Sequence, residues 1–305
     1  MFAPRSFLFV PGDSPRKMAK AEATAAHALM LDLEDSVAAQ NLAGARQTVR
    51  EYLLSRRDRK RQQVWVRINP LDSGKALDDL TAIVAGAPDG ILLPKCQASE
   101  QVKSLDHYLT ALECREGVEA GSIRIMPVAT ETPAAMFELG SYQGASRRLH
   151  GLTWGAEDLA TAVGAATNRD DDGAYGFTYQ LARTLCLLGA KAAGVRALDT
   201  MKANFRDIEA LKAEVRRARL DGFSGKFAIH PDQVEVINAG FRPDGHEIAH
   251  ARAIVAAFQS ADAVGTVQVD GVMVDKPHLT QALQILEAAG EQASAPDKGG
   301  MPRPE

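Results

Sequence analysis

Two carboxylates stand where short apolar runs of this sequence end. Glu131 follows the run at residues 125–129, and Asp158 follows the run at residues 152–154. If these runs are neighbouring parallel strands, the two side chains lie side by side at one edge of the sheet. A cation such as Mg²⁺ binds to one or two protein carboxylates and fills its other positions with water and substrate. The pair predicts a metal site, and two ordinary surface acids are the alternative.

Eight short apolar runs alternate with helix-like segments. The runs lie at residues 6–10, 28–33, 64–68, 90–93, 125–129, 152–154, 194–198 and 226–229. Strands that alternate with helices favour parallel pairing, and eight such units in about 230 residues predict an α/β fold of the (β/α)₈ TIM-barrel type. A doubly wound sheet is the alternative. It would need a phosphate-binding loop after an early strand, and the turn at residues 11–15 is not one.

The pattern changes after the eighth unit. Residues 249–263 have helical spacing, residues 267–275 alternate like a hairpin or a loop, and residues 277–289 form a last helical segment. We therefore predict a barrel over residues 1–240 and a C-terminal helical and hairpin extension over residues 241–290, which carries Asp275. The tail at residues 291–305 is rich in Pro, Gly, Ala and charge, and is predicted to be disordered.

Ionisable residues occupy the ends of most predicted strands, whereas the strand bodies are apolar. In a barrel the active site lies at these carboxyl ends, which favours the metal interpretation of Glu131 and Asp158. Arg67 stands in an apolar strand, where an unpaired charge is costly. Its planar fork suits a substrate carboxylate or a developing enolate oxygen. The alternative is a structural ion pair with Glu34 or Asp35.

Three basic residues follow the first predicted strand. Arg16, Lys17 and Lys20 belong to the rim that carries the active site and could hold the phosphates of a long substrate. A solvated helix start is an equally good interpretation of the same residues.

Composition excludes several classes of protein. The 305 residues carry 35 basic and 39 acidic side chains, a net charge of −4, which favours no nucleic-acid partner. No apolar run is long enough to span a membrane, and the start lacks the layout of a secretory signal. Three widely spaced cysteines indicate a reduced compartment. A cytoplasmic location is expected.

Eight motifs in order resemble one known family. They lie at residues 5–12, 32–37, 66–69, 93–95, 131–132, 155–159, 228–231 and 270–277, so the resemblance runs over nearly the whole chain. The chain resembles the citrate lyase β-subunit-like family, the (β/α)₈ acyl-CoA lyases that include malyl-CoA and citramalyl-CoA lyases. No departure from the family pattern occurs at Arg67, Glu131 or Asp158.

The resemblance implies roles for these residues. Glu131 and Asp158 would ligate Mg²⁺, with Mn²⁺ as a possible substitute, and Arg67 would contact the substrate. Asp275 would be catalytic and would enter the site of a neighbouring subunit of a homotrimer or hexamer. We assign Glu34, Asp35 and Lys95 to support of the metal or substrate, and the three basic residues of the first loop to the phosphates of CoA.

The expected reaction is the Mg²⁺-dependent cleavage or formation of a 3-hydroxyacyl-CoA such as malyl-CoA, citramalyl-CoA or citryl-CoA. Its products would be acetyl-CoA and a 2-oxo acid. Two alternatives stay open: a metal-dependent aldolase that acts on free 2-oxo acids without CoA, and a regulatory or scaffold barrel. Partner subunits of a citrate lyase complex are possible, but no residue of the chain points to them.

Overall fold

The computed structural model describes residues 3–56, 58–260 and 265–291. These residues fall into two compact units, of which the first ends at Phe241 and the second begins at Arg242. The predicted division into domains stays a prediction. The predicted disordered tail lies outside the described residues from residue 292 onward. No helix in the described ranges is both long and apolar enough to cross a membrane.

Eight parallel strands form the centre of the first unit, as the alternation of apolar runs predicted. Six of them pair in the order β5-β4-β3-β2-β1-β8, and β6 pairs with β7. Single bridges join the two sheets, from Val128 to Thr153 and from Asp199 to Lys226. The ring is therefore closed as a TIM-type barrel. The strands are β1 (Ser6–Pro11), β2 (Ala28–Asp32), β3 (Gln63–Arg67), β4 (Gly90–Leu93), β5 (Arg124–Pro127), β6 (Gly151–Thr153), β7 (Arg196–Leu198) and β8 (Lys226–Ala228).

Helices follow most of the strands. They are α1 (Pro15–Glu22), α2 (Leu42–Ser55), α3 (Ala76–Ile83), α4 (Ser99–Glu116), α5 (Glu157–Val163), α6 (Phe177–Ala192), α7 (Ile208–Asp221) and α8 (Asp232–Gly240). A 3₁₀ turn, Ala134–Phe137, stands after β5 in place of a longer helix. The sequence pattern missed α5 and α8, because helices of 7 and 9 residues are too short for helical spacing to show clearly.

The barrel interior is filled by side chains. Phe7, Met30, Trp65, Met126 and Phe227 belong to one buried apolar cluster inside the ring. The indole of Trp65 needs the glycine at position 90, since a Cβ there would stand 2.3 Å from the ring. The outward-pointing residues of the same strands pack in a second, larger cluster against the helices. Because each strand is buried on both faces, it is apolar throughout, and this made the strands visible in the sequence.

The second unit has its own core. Helix α9 (Gly245–Ser260), strands β9 (Thr266–Val269) and β10 (Val272–Asp275), and helix α10 (Lys276–Ala289) surround a buried cluster that includes Val255, Phe258, Val274 and Leu286. The strands form an antiparallel hairpin whose turn, Asp270–Gly271, has positive φ at both residues, as a type I′ turn requires. The predicted hairpin is therefore present, and its inward face packs on the two helices of its own unit.

A histidine is enclosed by cations just before β6. Arg124 Nη1 lies 3.5 Å from Nδ1 of His150, and Arg196 Nη1 lies 3.3 Å from its Nε2. Burial and the charges of the two guanidinium groups lower the pKa of His150 to about 3. The folded protein therefore holds this ring neutral across a range in which an unfolded chain, with a histidine pKa of about 6.5, takes up a proton.

This difference predicts a loss of stability in acid. As the pH falls from about 6.5 toward about 3, only the unfolded chain binds a proton at His150, so the free energy of unfolding declines. In His150→Gln the free energy of unfolding should decline less steeply with falling pH, by a slope that corresponds to at most one proton taken up on unfolding. Urea unfolding at several pH values measures this slope. The matched control, His107→Gln on α4, should keep the wild-type slope. Equal slopes in the wild type and His150→Gln contradict this account.

Candidate active site

A cavity of about 720 Å³ opens at the carboxyl ends of the barrel strands. Glu131, Asp158, Arg67 and Asp35 line it, together with the apolar residues Phe9, Leu92, Val128, Met201 and Phe227. This is the end at which TIM barrels carry their active sites. Four residues predicted from the sequence to form a site therefore share one cavity.

Glu131 is a buried acid of this cavity. It lies beyond the end of β5, it is 6% exposed, and its Oε2 accepts a hydrogen bond of 2.6 Å from the backbone N–H of Lys95. Burial raises the pKa of Glu131 to about 8, and the negative charges of Asp158 and Glu34 add to this effect, whereas the Lys95 N–H opposes it. The positive charge of the Lys95 ammonium also lowers this pKa. Glu131 therefore holds its proton more strongly than an ordinary glutamic acid does.

Lys95 contacts acidic residues through both its backbone N–H and its side-chain ammonium. Its backbone is in the left-handed region at φ +50°, which is strained for a lysine. This conformation lets the N–H reach Glu131 while the side chain lies among other carboxylates. Its Nζ is 2.6 Å from Glu34 and 3.4 Å from Asp158. Burial alone would lower the pKa of Lys95, but the hydrogen bond and charge of Glu34 raise it, so the ammonium keeps its proton.

Arg67 is held by a partner that the sequence analysis missed. Strand register places Asp32 of β2 directly beside Arg67 of β3. Two hydrogen bonds of 2.7 Å join Nε and Nη2 of Arg67 to the two carboxylate oxygens of Asp32. Burial favours the neutral acid, but the guanidinium outweighs it and holds the pKa of Asp32 below its usual value. The sequence feature that could have identified this partner is that Asp32 is the charged last residue of β2, as Arg67 is of β3.

The predicted contacts of Arg67 with the other two acids are also present. Its Nη1 lies 2.8 Å from Glu34 and 3.1 Å from Asp35. Glu34 is buried, and one of its oxygens, Oε2, accepts no hydrogen bond among the described residues. Burial raises the pKa of Glu34, although Arg67 and Lys95 oppose the shift. The ion pairs that were the alternative interpretation of Arg67 are therefore present, and Arg67 also lines the cavity.

Asp158 belongs to a helix start and not to a strand end. It lies in the first turn of α5. The loop before it, residues 154–156, is fixed on two sides. Thr130 Oγ1 accepts a hydrogen bond of 3.0 Å from the N–H of Gly155, and the Trp154 indole donates one of 2.8 Å to buried Asp199. Asp199, which directly follows β7, therefore holds this loop in place through its hydrogen bond with Trp154.

These acids fit a hard divalent cation. Burial and the charges of neighbouring acids raise the pKa of Glu131, so a positive charge beside it would stabilise its carboxylate. Asp158 lines the same cavity. No group of three or more His, Cys, Asp or Glu within the described ranges has the arrangement of a metal site. The chain thus offers two carboxylates, and water and substrate would fill the other positions. This is the coordination that Mg²⁺ prefers and that a closed structural zinc site lacks.

The structure brings part of the predicted phosphate site to the cavity. Lys17 and Lys20 of α1 line it, and Arg16 does not. The two lysines are one helical turn apart and exposed at the mouth. Glu34 and Lys95 do not line the cavity either. Glu34 contacts Arg67, and Lys95 contacts Asp158 and Glu131, which do line it.

Asp275 lies in the second unit, at the boundary of β10 and α10. Its side chain accepts a hydrogen bond from the helix N-terminus, and His278 contacts both its carboxylate and its backbone N–H, which forms a capping box. The carboxylate is about half exposed. It is therefore oriented by its helix and open to an approaching group.

Comparisons with known proteins agree on one family. The model of the HpcH/HpaI aldolase/citrate lyase family matches residues 5–231. A second model, described as a C–C bond lyase of the TIM-barrel fold, matches residues 177–291. The chain is 33% identical over 287 residues to the citrate lyase subunit beta of Haemophilus influenzae, across 93% of this chain and 96% of that protein.

Solved structures support the same relationship. The chain is 34% identical to the protein CitE from Mycobacterium tuberculosis, solved in complex with magnesium, acetoacetate and coenzyme A. The match covers 95% of this chain and 99% of that one, with a TM-score of 0.78. A citrate lyase beta subunit from M. tuberculosis, solved with oxaloacetate and magnesium, is 33% identical with a TM-score of 0.66. This match covers 79% of the present chain and 98% of that structure.

The contact between Gly155 and Glu131 gives a sharp test of the site. A Cβ at position 155 would stand 2.8 Å from Glu131 Cγ and 3.0 Å from its Oε1. Gly155→Ala should therefore displace the carboxylate and lower divalent-ion affinity about 10- to 100-fold, as perturbation of ligand orientation does elsewhere. Isothermal titration calorimetry with Mg²⁺ measures this affinity.

Gly44→Ala is the matched control. Gly44 is exposed on α2 with open space around its Cβ position, so alanine there should leave ion affinity unchanged and raise helix stability by about 0.5–1 kcal/mol. Wild-type ion affinity in Gly155→Ala would mean that the cation does not bind at Glu131.

Proposed function

This chain belongs to the HpcH/HpaI aldolase/citrate lyase family, and on that premise we propose that it is a Mg²⁺-dependent carbon–carbon lyase of 3-hydroxyacyl-CoA thioesters. In one direction it would join acetyl-CoA to a 2-oxo acid, and in the other it would split the product into the same two molecules. The observation that carries the proposal is the convergence of Glu131, Asp158 and Arg67 on one cavity at the carboxyl end of the barrel. The magnesium and coenzyme A held by its solved relative support it.

Glu131 and Asp158 are the proposed ligands of the metal. They would hold a divalent ion, whose chemistry would be the polarisation of the oxo-acid carbonyl. The buried position of Glu131 and its hydrogen bond to the Lys95 N–H would hold one ligand rigidly. Asp158, fixed through its anchored loop, would hold the other. Lys95 would keep the surrounding carboxylates from repelling one another before the ion binds.

Arg67 is proposed to stabilise negative charge on the reacting oxygens. Asp32 fixes the guanidinium with two hydrogen bonds, so the fork does not have to be ordered when substrate arrives. A donor that is fixed in advance stabilises developing charge more than a mobile one does. Glu34 and Asp35 complete the support of its remaining nitrogen.

Asp275 is proposed as the proton-transfer residue. In synthesis it would take a proton from the methyl carbon of the acetyl thioester, the resulting carbanion would attack the carbonyl carbon of the oxo acid, and the alkoxide would take a proton from water. In cleavage the hydroxyl group would lose its proton to water, the carbon–carbon bond would break, and Asp275 would return a proton to the methyl carbon. Its half-exposed, helix-capping carboxylate suits this role. We propose that it acts in the site of a neighbouring subunit, in a homotrimer or hexamer.

Lys17 and Lys20 are proposed to bind the phosphates of coenzyme A. Both are exposed at the cavity mouth, where a long substrate would enter. Two ammonium groups one turn apart attract phosphate oxygens without fixing their geometry strongly. Arg16 does not line the cavity, so its contribution would be limited to long-range attraction.

Activity of the purified protein tests the reaction class. With Mg²⁺ present it should release acetyl-CoA from at least one of malyl-CoA, citramalyl-CoA and citryl-CoA, and chelation should abolish the activity. Arg67→Lys should lower kcat about 10²- to 10³-fold, because an ammonium cannot replace a preorganised fork. The same exchange at exposed Arg217 should have no effect.

Three other results would point away from this function. Turnover that persists after chelation would exclude the metal. Cleavage of free 2-oxo acids, with no activity on any thioester, would favour an aldolase that does not use CoA. A folded protein that binds neither an ion nor a thioester would favour a regulatory or scaffold barrel.

Mixing two inactive variants tests whether sites are shared between subunits. Asp275→Ala and Glu131→Gln should each be folded and nearly inactive. After subunit exchange at equal concentrations, about a quarter of the sites would combine an intact Glu131 from one chain with an intact Asp275 from the next, if the two chains of each site are drawn at random. Activity should recover to about that fraction. Exchange verified by mass spectrometry without recovery would place Asp275 in the site of its own chain.

A further inference from the structure

The carboxylate of Asp275 is in contact with a histidine ring. Asp275 is the N-cap of α10, and His278 is the third residue of that helix. Nδ1 of His278 lies 2.5 Å from Oδ1 of Asp275. The carboxylate also accepts a hydrogen bond from the backbone N–H of His278. Within the described ranges no other side chain is hydrogen-bonded to this carboxylate, so its surroundings depend on one residue.

The same ring nitrogen lies between an acceptor and a donor. Besides the carboxylate, Nδ1 of His278 is 3.2 Å from the backbone nitrogen of Asp275. A ring nitrogen that carries a proton donates, and one that lacks a proton accepts, so Nδ1 satisfies only one of these two neighbours. A hydrogen bond to an ionised acceptor is shorter and roughly twice as strong as a neutral one. The carboxylate contact is the shorter of the two, which indicates that Nδ1 carries the proton and donates to Asp275.

A donor at Nδ1 restricts the rotation of the carboxylate. The side chains of Asp275 and His278 are each about half exposed, so water would otherwise compete for the carboxylate oxygens. With the ring holding Oδ1 and the helix N–H as a second donor, the carboxylate has a fixed orientation before a substrate arrives. A reacting group that is held in its productive geometry lowers the entropic part of the barrier.

We propose that His278 is a positioning residue, whose Nδ1–H fixes the Asp275 carboxylate in the orientation that exchanges a proton with the methyl carbon of the acetyl thioester; this rests on the proposed function. In synthesis a C–H bond of the methyl group breaks and an O–H bond forms on Asp275, and in cleavage the reverse occurs. The ring keeps its Nδ1 proton throughout and contacts no substrate. Loss of the ring should therefore lower kcat and leave substrate affinity unchanged.

The alternative is that His278 only caps α10. In a capping box the third helical residue, usually Glu or Gln, accepts a hydrogen bond from the backbone N–H of the N-cap residue. These two residue types separate capping from positioning at position 278. Glutamate can accept from that N–H, but it has no proton to donate and places a second negative charge beside Asp275. Glutamine can accept with its carbonyl oxygen and also donate with its amide nitrogen.

Steady-state kinetics and melting curves of three variants test the proposal. His278→Ala should lower kcat about 10- to 100-fold, because a misplaced reacting group costs that much, and should leave the KM of the thioester within about twofold of the wild type. His278→Gln keeps a donor and should lower kcat less than about threefold. His278→Glu should lower kcat at least as much as alanine, although its Tm should match that of the glutamine variant. His246→Gln, at an exposed histidine of α9, is the matched control and should leave kcat and KM unchanged.

The same kinetics distinguish failure of this proposal from failure of the proposed function. A His278→Glu variant with wild-type kcat, beside an inactive Asp275→Ala, would overturn the positioning role alone and leave His278 as a helix cap. Full activity of Asp275→Ala would overturn the role of Asp275 and that of His278 together. Activity on no thioester would overturn the proposed function and the positioning role with it.

Nitrogen-15 NMR of the histidine rings locates the proton without any turnover. At about pH 9, where an ordinary histidine is neutral, the His278 ring of the wild-type protein should carry a proton on Nδ1. The resonance is identified by its absence from His278→Gln. In Asp275→Ala the carboxylate is gone and the backbone N–H of residue 275 remains, so the proton should move to Nε2. A wild-type ring with an unprotonated Nδ1 would overturn the proposal.

Discussion

The crowding of carboxylates at one end of the barrel is the constraint on which the site depends. Two side-chain cations, Arg67 and Lys95, are in contact with four acids: Asp32, Glu34, Asp35 and Asp158. A fifth acid, Glu131, is buried beside them and accepts a hydrogen bond from the backbone N–H of Lys95. Like charges at such separations repel strongly in a poorly solvated site. A bound cation would offset this repulsion.

The fold supplies the rigidity that this arrangement needs. Parallel register sets Asp32 beside Arg67, and the closed barrel fixes both strands. The left-handed backbone of Lys95 costs about 1–3 kcal/mol in isolation. The surrounding contacts offset this cost and keep its N–H directed at Glu131. The loop before Asp158 has anchors on both sides. Each ligand is thus positioned before the substrate arrives, which is the condition for strong electrostatic stabilisation of a transition state.

The sequence was sufficient for the barrel because its strands are buried on both faces. Runs such as residues 90–93 are apolar at every position, and their spacing led directly to eight strands. The site residues were found because a charge at the end of an apolar run is unusual. Asp32 was overlooked because it lies inside the run at residues 28–33, close to Glu34 and Asp35. The strand register shows that it is the main partner of Arg67. Helix α5, which carries Asp158, was too short to be recognised.

Side-chain contacts were beyond the reach of the sequence pattern for a physical reason. The approach of Gly155 to Glu131, and the pairing of Trp154 with Asp199, join residues that are 24 and 45 positions apart and depend on loop conformation. Apolar spacing carries no information on either. The apolar part of the cavity lining likewise includes Phe9, Leu92 and Phe227, which belong to three different strands that the barrel brings together.

The measurement closest to the central claim is the binding of Mn²⁺ followed by electron paramagnetic resonance. If the carboxylate cluster is a cation site, the wild-type protein takes up one Mn²⁺ per chain, and addition of a 2-oxo acid changes the spectrum of the bound ion. Glu131→Gln should bind none at the same free concentration, whereas Glu157→Gln, which alters an exposed acid of the same cavity, should bind it normally. Undiminished Mn²⁺ binding in Glu131→Gln would contradict the account.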